Sequence, residues 1–247
     1  MLLHRDEPRS LAADRHLAWS LAGIAGGLNA AGFYAVGLYS SNMTGNVSAL
    51  ADQVALGDFA AGALYLAIVC TFIIGAMVSA ILINAGRRRR LAGIYAFSIL
   101  AEALLLAALG CVDLWLFGEG RGPALVFGLS FLMGLQNAVV TRLSDARVRT
   151  THVTGMITDI GIELGNLADI AWHRGHGVAE ANFNRDKLRL HIETVLSFLA
   201  GGVLGVLGYR QFGAWLLFAG ALALLLLALP VILAARVPKR DNTALPG

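Results

Sequence analysis

Two polar motifs occur twice in a chain that is otherwise strongly apolar. Gly26-Gly27-Leu28-Asn29-Ala30 is followed by Ser41-Asn42-Met43-Thr44-Gly45. Gly134-Leu135-Gln136-Asn137-Ala138 is followed by Thr151-His152-Val153-Thr154-Gly155. The offset is 108 residues at the Asn-Ala pair and 110 at the Thr-Gly pair. A third echo, Phe72-x-x-Gly75-x-x-x-Ser79 against Phe198-x-x-Gly201-x-x-x-Gly205, stands 126 residues apart. Any fold for this chain has to accept one unit twice, which is the habit of transporter-like membrane architectures.

Apolar residues fill 57% of the 247 positions and charged residues only 14%, with a mean hydropathy of +0.69. A soluble domain carries about 25% charged residues, so the solvent here is lipid. Runs of the roughly 20 apolar residues that cross a bilayer recur along the chain. They predict six helices near 16–39, 60–85, 91–117, 123–142, 191–208 and 212–235. The polar breaks are short, which predicts one membrane domain with repeat one at 16–117 and repeat two at 123–235. Residues 1–15 and 236–247 read as polar tails. The first apolar run is too long for a signal-peptide core and is expected to stay as an anchor. Cys70 and Cys111 fall inside apolar helices without a second Cys or a His at ligand spacing, and read as packed thiols.

The formal charge of +3 would suit nucleic acid, but its distribution does not. With six helices, the amino terminus, loop 86–90, segment 142–190 and the carboxyl tail share one side. Every Lys and Arg except Arg121 and Arg210 falls there. This bias orients both termini to the cytoplasm of an inner membrane, with lipid head groups as partners and no nucleic acid. Three crossings per half make the second half enter from the opposite face. The fold class expected is therefore all-α integral membrane, two inverted three-helix repeats, with a polar Thr-Gly segment after helices one and four.

Asn29 and Asn137 each lie about 20 Å along their helices by helical rise, measured from opposite faces. An amide at such a depth needs a partner that lipid does not supply. Each Asn either ties its helix to the motif segment that follows or meets a solute, and both are compatible. Thr44-Gly45 and Thr154-Gly155 read as helix starts with Thr as N-cap, opening 45–57 and 155–171. Dipping toward one cavity, two such amino termini would favour an anion; lying flat, they are ordinary interfacial helices.

The motif residues Asn29, Ser41, Asn42, Thr44, Gly45, Asn46, Asn137, Thr151, His152, Thr154 and Gly155 are thus the candidates for solute contact. The second half adds Arg149 and an ionisable face of Asp159, Glu163 and Asn166 at i, i+4, i+7, where the first half has Gln53. His152, Asp159 and Glu163 are candidates for moving protons, or else a solvated loop. Glu102 is a third acid, expected near mid-bilayer among Leu100, Ala101, Ala103 and Leu104. The Phe-x-x-Gly echo on helices two and five reads as close helix packing. Segment 172–190 is an insertion relative to the first half; His173 and His176 have no acid or Cys to complete a metal site, and no motif implies a cofactor.

The stretches G-G-L-N-A-A-G-F (26–33), S-N-M-T-G-N (41–46), G-L-Q-N-A (134–138) and R-T-T-H-V-T-G-M-I-T-D (149–159) resemble the YoaK-like family of bacterial inner-membrane proteins, a domain of unknown function. The resemblance runs from about 16 to 235 and implies a six-helix permease-type protein without an established substrate. Three function classes follow from the sequence. The first is a secondary transporter for a small, potentially anionic solute. The second is an intramembrane enzyme using His152 with Asp159 or Glu163, against which no G-x-S-x-G or H-E-x-x-H occurs. The third is a channel or scaffold subunit. Six helices also make a homodimer an expectation.

Overall fold

The computed structural model describes residues 11–89, 91, 93–144, 150–172 and 183–236. Among these, 89% are helical and no strand forms. Eight α-helices follow one another: α1 (Leu11–Val36), α2 (Met43–Ala55), α3 (Phe59–Arg88), α4 (Ile94–Trp115), α5 (Arg121–Leu143), α6 (Val153–Trp172), α7 (Arg185–Phe212) and α8 (Trp215–Arg236). Their ends have local causes. Gly57, at φ +80°, lets the chain reverse out of α2, and Asp58 then caps α3 by accepting the Ala61 N–H at 2.9 Å. The long apolar run of α3 stops at Arg87 and Arg88, whose charges suit a helix carboxyl end.

Five helices are long and apolar enough to cross a membrane: α3, α4, α5 with the turn before it, α7, and α8 as far as Leu233. The protein is a multi-pass membrane protein. α1 was expected as a sixth span and is not among the five, although its 26 residues are long enough. Arg15, His16 and Asn29 dilute its apolar run. The fifth expected span starts earlier than its apolar core, because Asn184 caps α7 by accepting the Lys187 N–H at 2.9 Å. Residues 185–190, expected in a surface insertion, are the first turns of that helix. His173, His176 and Arg149 lie outside the described residues.

Three helix pairs organise the molecule: α1 along α7, α3 along α5, and α4 along α8. Each pair joins the first half of the chain to the second. Four contacts spread along α1 and α7 share an offset of 178 residues: Arg15 with Glu193, Trp19 with Ser197, Gly23 with Gly201 and Gly27 with Gly205. A constant offset means the two helices run parallel. Short α2 lies on α3, and α6 lies on α7. The core between the long helices is filled by Leu21, Leu28, Ile99, Leu106, Leu132, Met133 and Leu224.

Lipid tails are as apolar as these side chains, so close packing rather than water exclusion has to hold such helices together. Glycine makes that packing close. A Cβ on Gly26 would land on the carbonyl of Phe198, and a Cβ on Gly134 would land on the carbonyl of Phe72. The 108- and 126-residue offsets turn the first contact into the second. Likewise a Cβ on Gly201 meets the carbonyl of Gly23, and one on Gly75 meets that of Phe131. The duplicated Phe-x-x-Gly motif is therefore a backbone-to-backbone contact made twice, and it binds the two halves to each other. Cys70 and Cys111, expected to be packed, are both exposed on the outer surfaces of α3 and α4, where an apolar thiol suits lipid.

Gly26→Ala and Gly134→Ala are each expected to destabilise the purified protein by about 1–3 kcal/mol, the usual range for overpacking. Gly202→Ala, whose Cβ would meet the Ala30 methyl at an ordinary 3.5 Å, should change little. Unfolding midpoints in mixed micelles read the difference, and equal midpoints for all three variants would mean that the backbones do not touch.

Candidate functional site

The two Asn residues do the same thing in the two halves. Asn29 Oδ1 accepts the Ser41 N–H at 3.0 Å and the Ser40 hydroxyl at 3.5 Å. Asn137 Oδ1 accepts the Thr151 hydroxyl at 2.8 Å, while its Nδ2 donates to the Met133 carbonyl at 2.7 Å. Each amide thus ties its long helix to the polar segment that follows, and Ser41 and Thr151 are themselves equivalent by the 110-residue offset. Asn29 sits about 10 Å before the end of α1 and Asn137 about 9 Å before the end of α5 by helical rise.

Both segments then start a short helix in the same way, though not with the expected cap. Thr44 and Thr154 lie inside the first turn, where their carbonyls accept the Ser48 and Thr158 hydroxyls, each at 3.0 Å. The cap of α2 is Asn42, whose Oδ1 accepts the Gly45 N–H at 3.1 Å and whose carbonyl accepts the Asn46 N–H at 3.0 Å. In α6 the corresponding position is His152, whose carbonyl accepts the Met156 N–H at 3.2 Å. The Asn42 amide and the His152 ring lie across Gly45 and Gly155, where a Cβ would strike them. That contact explains why Gly follows Thr in both motifs. Asn46 is buried and donates to the Tyr39 carbonyl at 3.1 Å.

The motif segments do not converge. α2 packs on α3 and α6 on α7, and α2 and α6 make no contact with one another among the described residues. Of the two alternatives, the absence of contact favours separate helices over two amino termini that meet, which removes the geometric case for an anion. Asn42, Thr44, His152 and Thr154 are exposed, whereas Asn29 and Ser41 are buried.

The acids of the second half are already engaged. Lys187 Nζ lies 3.0 Å from Asp159 Oδ1 and 3.9 Å from Glu163 Oε1, and Glu163 Oε2 accepts the Asn184 N–H at 2.9 Å. His191 Nδ1 is 3.6 Å from Asp159 Oδ2. This cluster fastens α6 to the start of α7. His152, just before the first residue of α6, has no bond to this cluster, so the imidazole that meets Asp159 is His191 and not the expected His152. Glu102 differs from these acids. It is 1% exposed, and neither carboxyl oxygen has a hydrogen-bond partner.

Two further polar contact sets were not marked by spacing. At one end of the molecule Arg121 Nε donates to Asp113 Oδ1 at 2.8 Å, Arg121 Nη2 donates to the Tyr209 hydroxyl at 2.8 Å, and that hydroxyl donates to Asp113 Oδ2 at 2.7 Å. At the other end Arg142 Nη1 donates to Asn84 Oδ1 at 2.9 Å, and Arg87 Nη2 to the Tyr95 hydroxyl at 2.8 Å. Each set joins a helix of one half to a helix of the other. The available signal was Asp113, an acid late in an apolar helix, eight positions before one of only two basic residues assigned to that side.

Comparison with known proteins gives one result. The family described as Protein of unknown function (DUF1275) matches residues 17–230. No curated protein and no solved structure matches the chain.

Asn29→Ala strands the buried Ser41 N–H and is expected to cost about 1–3 kcal/mol, the penalty for a buried donor without an acceptor. Asn137→Ala frees a half-buried Thr151 hydroxyl that can turn outward, and should cost less. Hydrogen exchange at Ser41 and along the first turn of α2 should rise in the first variant. Unchanged exchange there would mean that Asn29 does not hold the segment.

Proposed function

The chain belongs to the DUF1275 family, whose description assigns no activity, and from the physical arrangement we propose that it is a small-solute secondary transporter of the inner membrane. In this reading α1 joins the five apolar helices as a sixth span, and α1 to α4 and α5 to α8 are repeats of inverted topology. The observation that carries it is the double occurrence of one polar latch, Asn29 with Ser41 and Asn137 with Thr151, near the ends of two helices whose partners exchange between halves. A transporter needs equivalent structures at its two mouths, and a single catalytic centre does not.

The end that carries Arg87, Arg88 and Arg142 is cytoplasmic in this reading, as are both termini. Asn29, Ser41, Asn42, Thr44, Gly45 and Asn46 then line the outer mouth. Asn137, Thr151, His152, Thr154 and Gly155 line the inner one. Asp159 and Glu163, held by Lys187, serve to anchor α6, which leaves Glu102 as the group suited to coupling. The glycine contacts between halves support movement of one helix pair over another, since no side chain has to climb past its neighbour.

A melting-point screen of metabolites against the purified protein should yield a ligand, and that ligand should show saturable counterflow in proteoliposomes. Asn29→Ala and Asn137→Ala are each expected to lower the flux about tenfold or more, equivalent to about 1.4 kcal/mol on the rate-limiting state. Undiminished flux in both variants, or flux that never saturates, would contradict a transporter with gated mouths.

A further inference from the structure

The places where α4 and α8 meet their neighbours are not alike. Between α1, α7 and α8 there is an open groove of about 400 Å³, walled in part by Gly27, Leu28, Gly201, Gly205 and Gly220. The 108- and 126-residue offsets carry Leu28 to Gln136, Gly201 to Gly75 and Gly205 to Ser79. In that second location α4 leans closely on α5 and touches α3, and Gln136 and Ser79 are 1% and 0% exposed. One half has a groove of small apolar residues where the other has polar side chains sealed inside.

Those sealed side chains lack partners. Both oxygens of Glu102, both amide atoms of Gln136 and the Ser79 hydroxyl make no hydrogen bond. By helical rise Ser79 lies about 13 Å from Arg88, Glu102 about 12 Å from Ile94 and Gln136 about 10 Å from Leu143, so all three share one level below the basic end. Burying such groups unpaired is costly enough that buried polar atoms nearly always have a partner, from the protein or from something bound.

The charge of that partner follows from the surroundings of Glu102. Asp113 has Arg121, Asp159 and Glu163 have Lys187, and Glu193 has Arg15 and Arg189. Glu102 has no such base. No Lys, Arg, His, Asp or Glu occurs from Phe59 to Asn84 in α3, from Gly122 to Thr141 in α5, or from Trp215 to Ala235 in α8, the helices packed on α4. A carboxyl group in that setting holds a proton or a cation, and it repels an anion.

We propose that Glu102, Ser79 and Gln136 form an occluded site for a small monovalent cation taken up in exchange for a proton. The site opens when α4 parts from α3 and α5, leaving a groove like the one beside α8. The opening step rests on the transporter reading, whereas cation binding does not.

The full chain, purified in detergent, is melted in sodium, potassium or ammonium chloride, with N-methylglucamine chloride of equal ionic strength as the reference. At ten times its dissociation constant a bound cation should raise the midpoint by about 3–6 °C. The rise should vanish in Glu102→Gln and shrink in Gln136→Leu and Ser79→Ala. Identical midpoints in all four salts, or a rise that persists undiminished in Glu102→Gln and Gln136→Leu, would overturn the site. Stabilisation by a cation without uptake of any solute into proteoliposomes would sink the transporter reading and leave the site standing. Uptake that is unchanged in Glu102→Gln would do the reverse.

Discussion

Backbone contact at glycine is the constraint from which the rest of the molecule follows. In lipid no hydrophobic gain draws helices together, so their hold depends on how closely two backbones approach. Gly26, Gly134, Gly75 and Gly201 each present bare backbone to a carbonyl of the other half of the chain. Because all four contacts cross between halves, α1 is committed to α7 and α3 to α5, which leaves α4 and α8 to pack on each other. The buried core is one cluster drawn from both halves.

Polar residues join this frame at its two ends. The Arg121–Asp113–Tyr209 cluster closes one end, and Arg142 with Asn84 and Arg87 with Tyr95 close the other. Between the ends, Asn29 and Asn137 hold the chain in place as it leaves a helix, so that α2 and α6 start at set positions. These groups are bonded to one another. Ser79, Glu102 and Gln136 have no such bonds; Ser130 Oγ, Thr150 Oγ1 and His191 Nδ1 share that state, but only the first three set a carboxyl, an amide and a hydroxyl at one level of helices in mutual contact.

Much of this was legible in the sequence because periodicity and apolar length report directly on helices in lipid. The two short helices, the shared role of the Asn pair and the packing role of Phe-x-x-Gly were all readable from the repeat. The caps were misread, since Thr44 and Asn42 are both good cap residues and only the start of the helix decides between them. Whether the two Thr-Gly segments converge or lie flat is left open by the repeat, which fixes what each copy looks like and says nothing about how far apart the copies stand; α2 and α6 do not touch among the described residues. The lysine clamp on Asp159 and Glu163 was hidden for another reason. Lys187 is 28 positions from Asp159, and no helical spacing links them. Gln136 lies within a repeated motif but at an unmatched position, where its equivalent is Leu28, and a repeat marks only its matches.

The inverted relation between the halves is tested most directly by the sidedness of α2 and α6. Ser48 and Thr158 are equivalent, exposed, and one turn into their helices. In a background lacking Cys70 and Cys111, each is replaced singly by Cys and treated with a membrane-impermeant maleimide in intact cells and in inverted vesicles. Inverted repeats predict that Ser48→Cys labels only in cells and Thr158→Cys only in vesicles. Labelling of both from the same side would contradict the account.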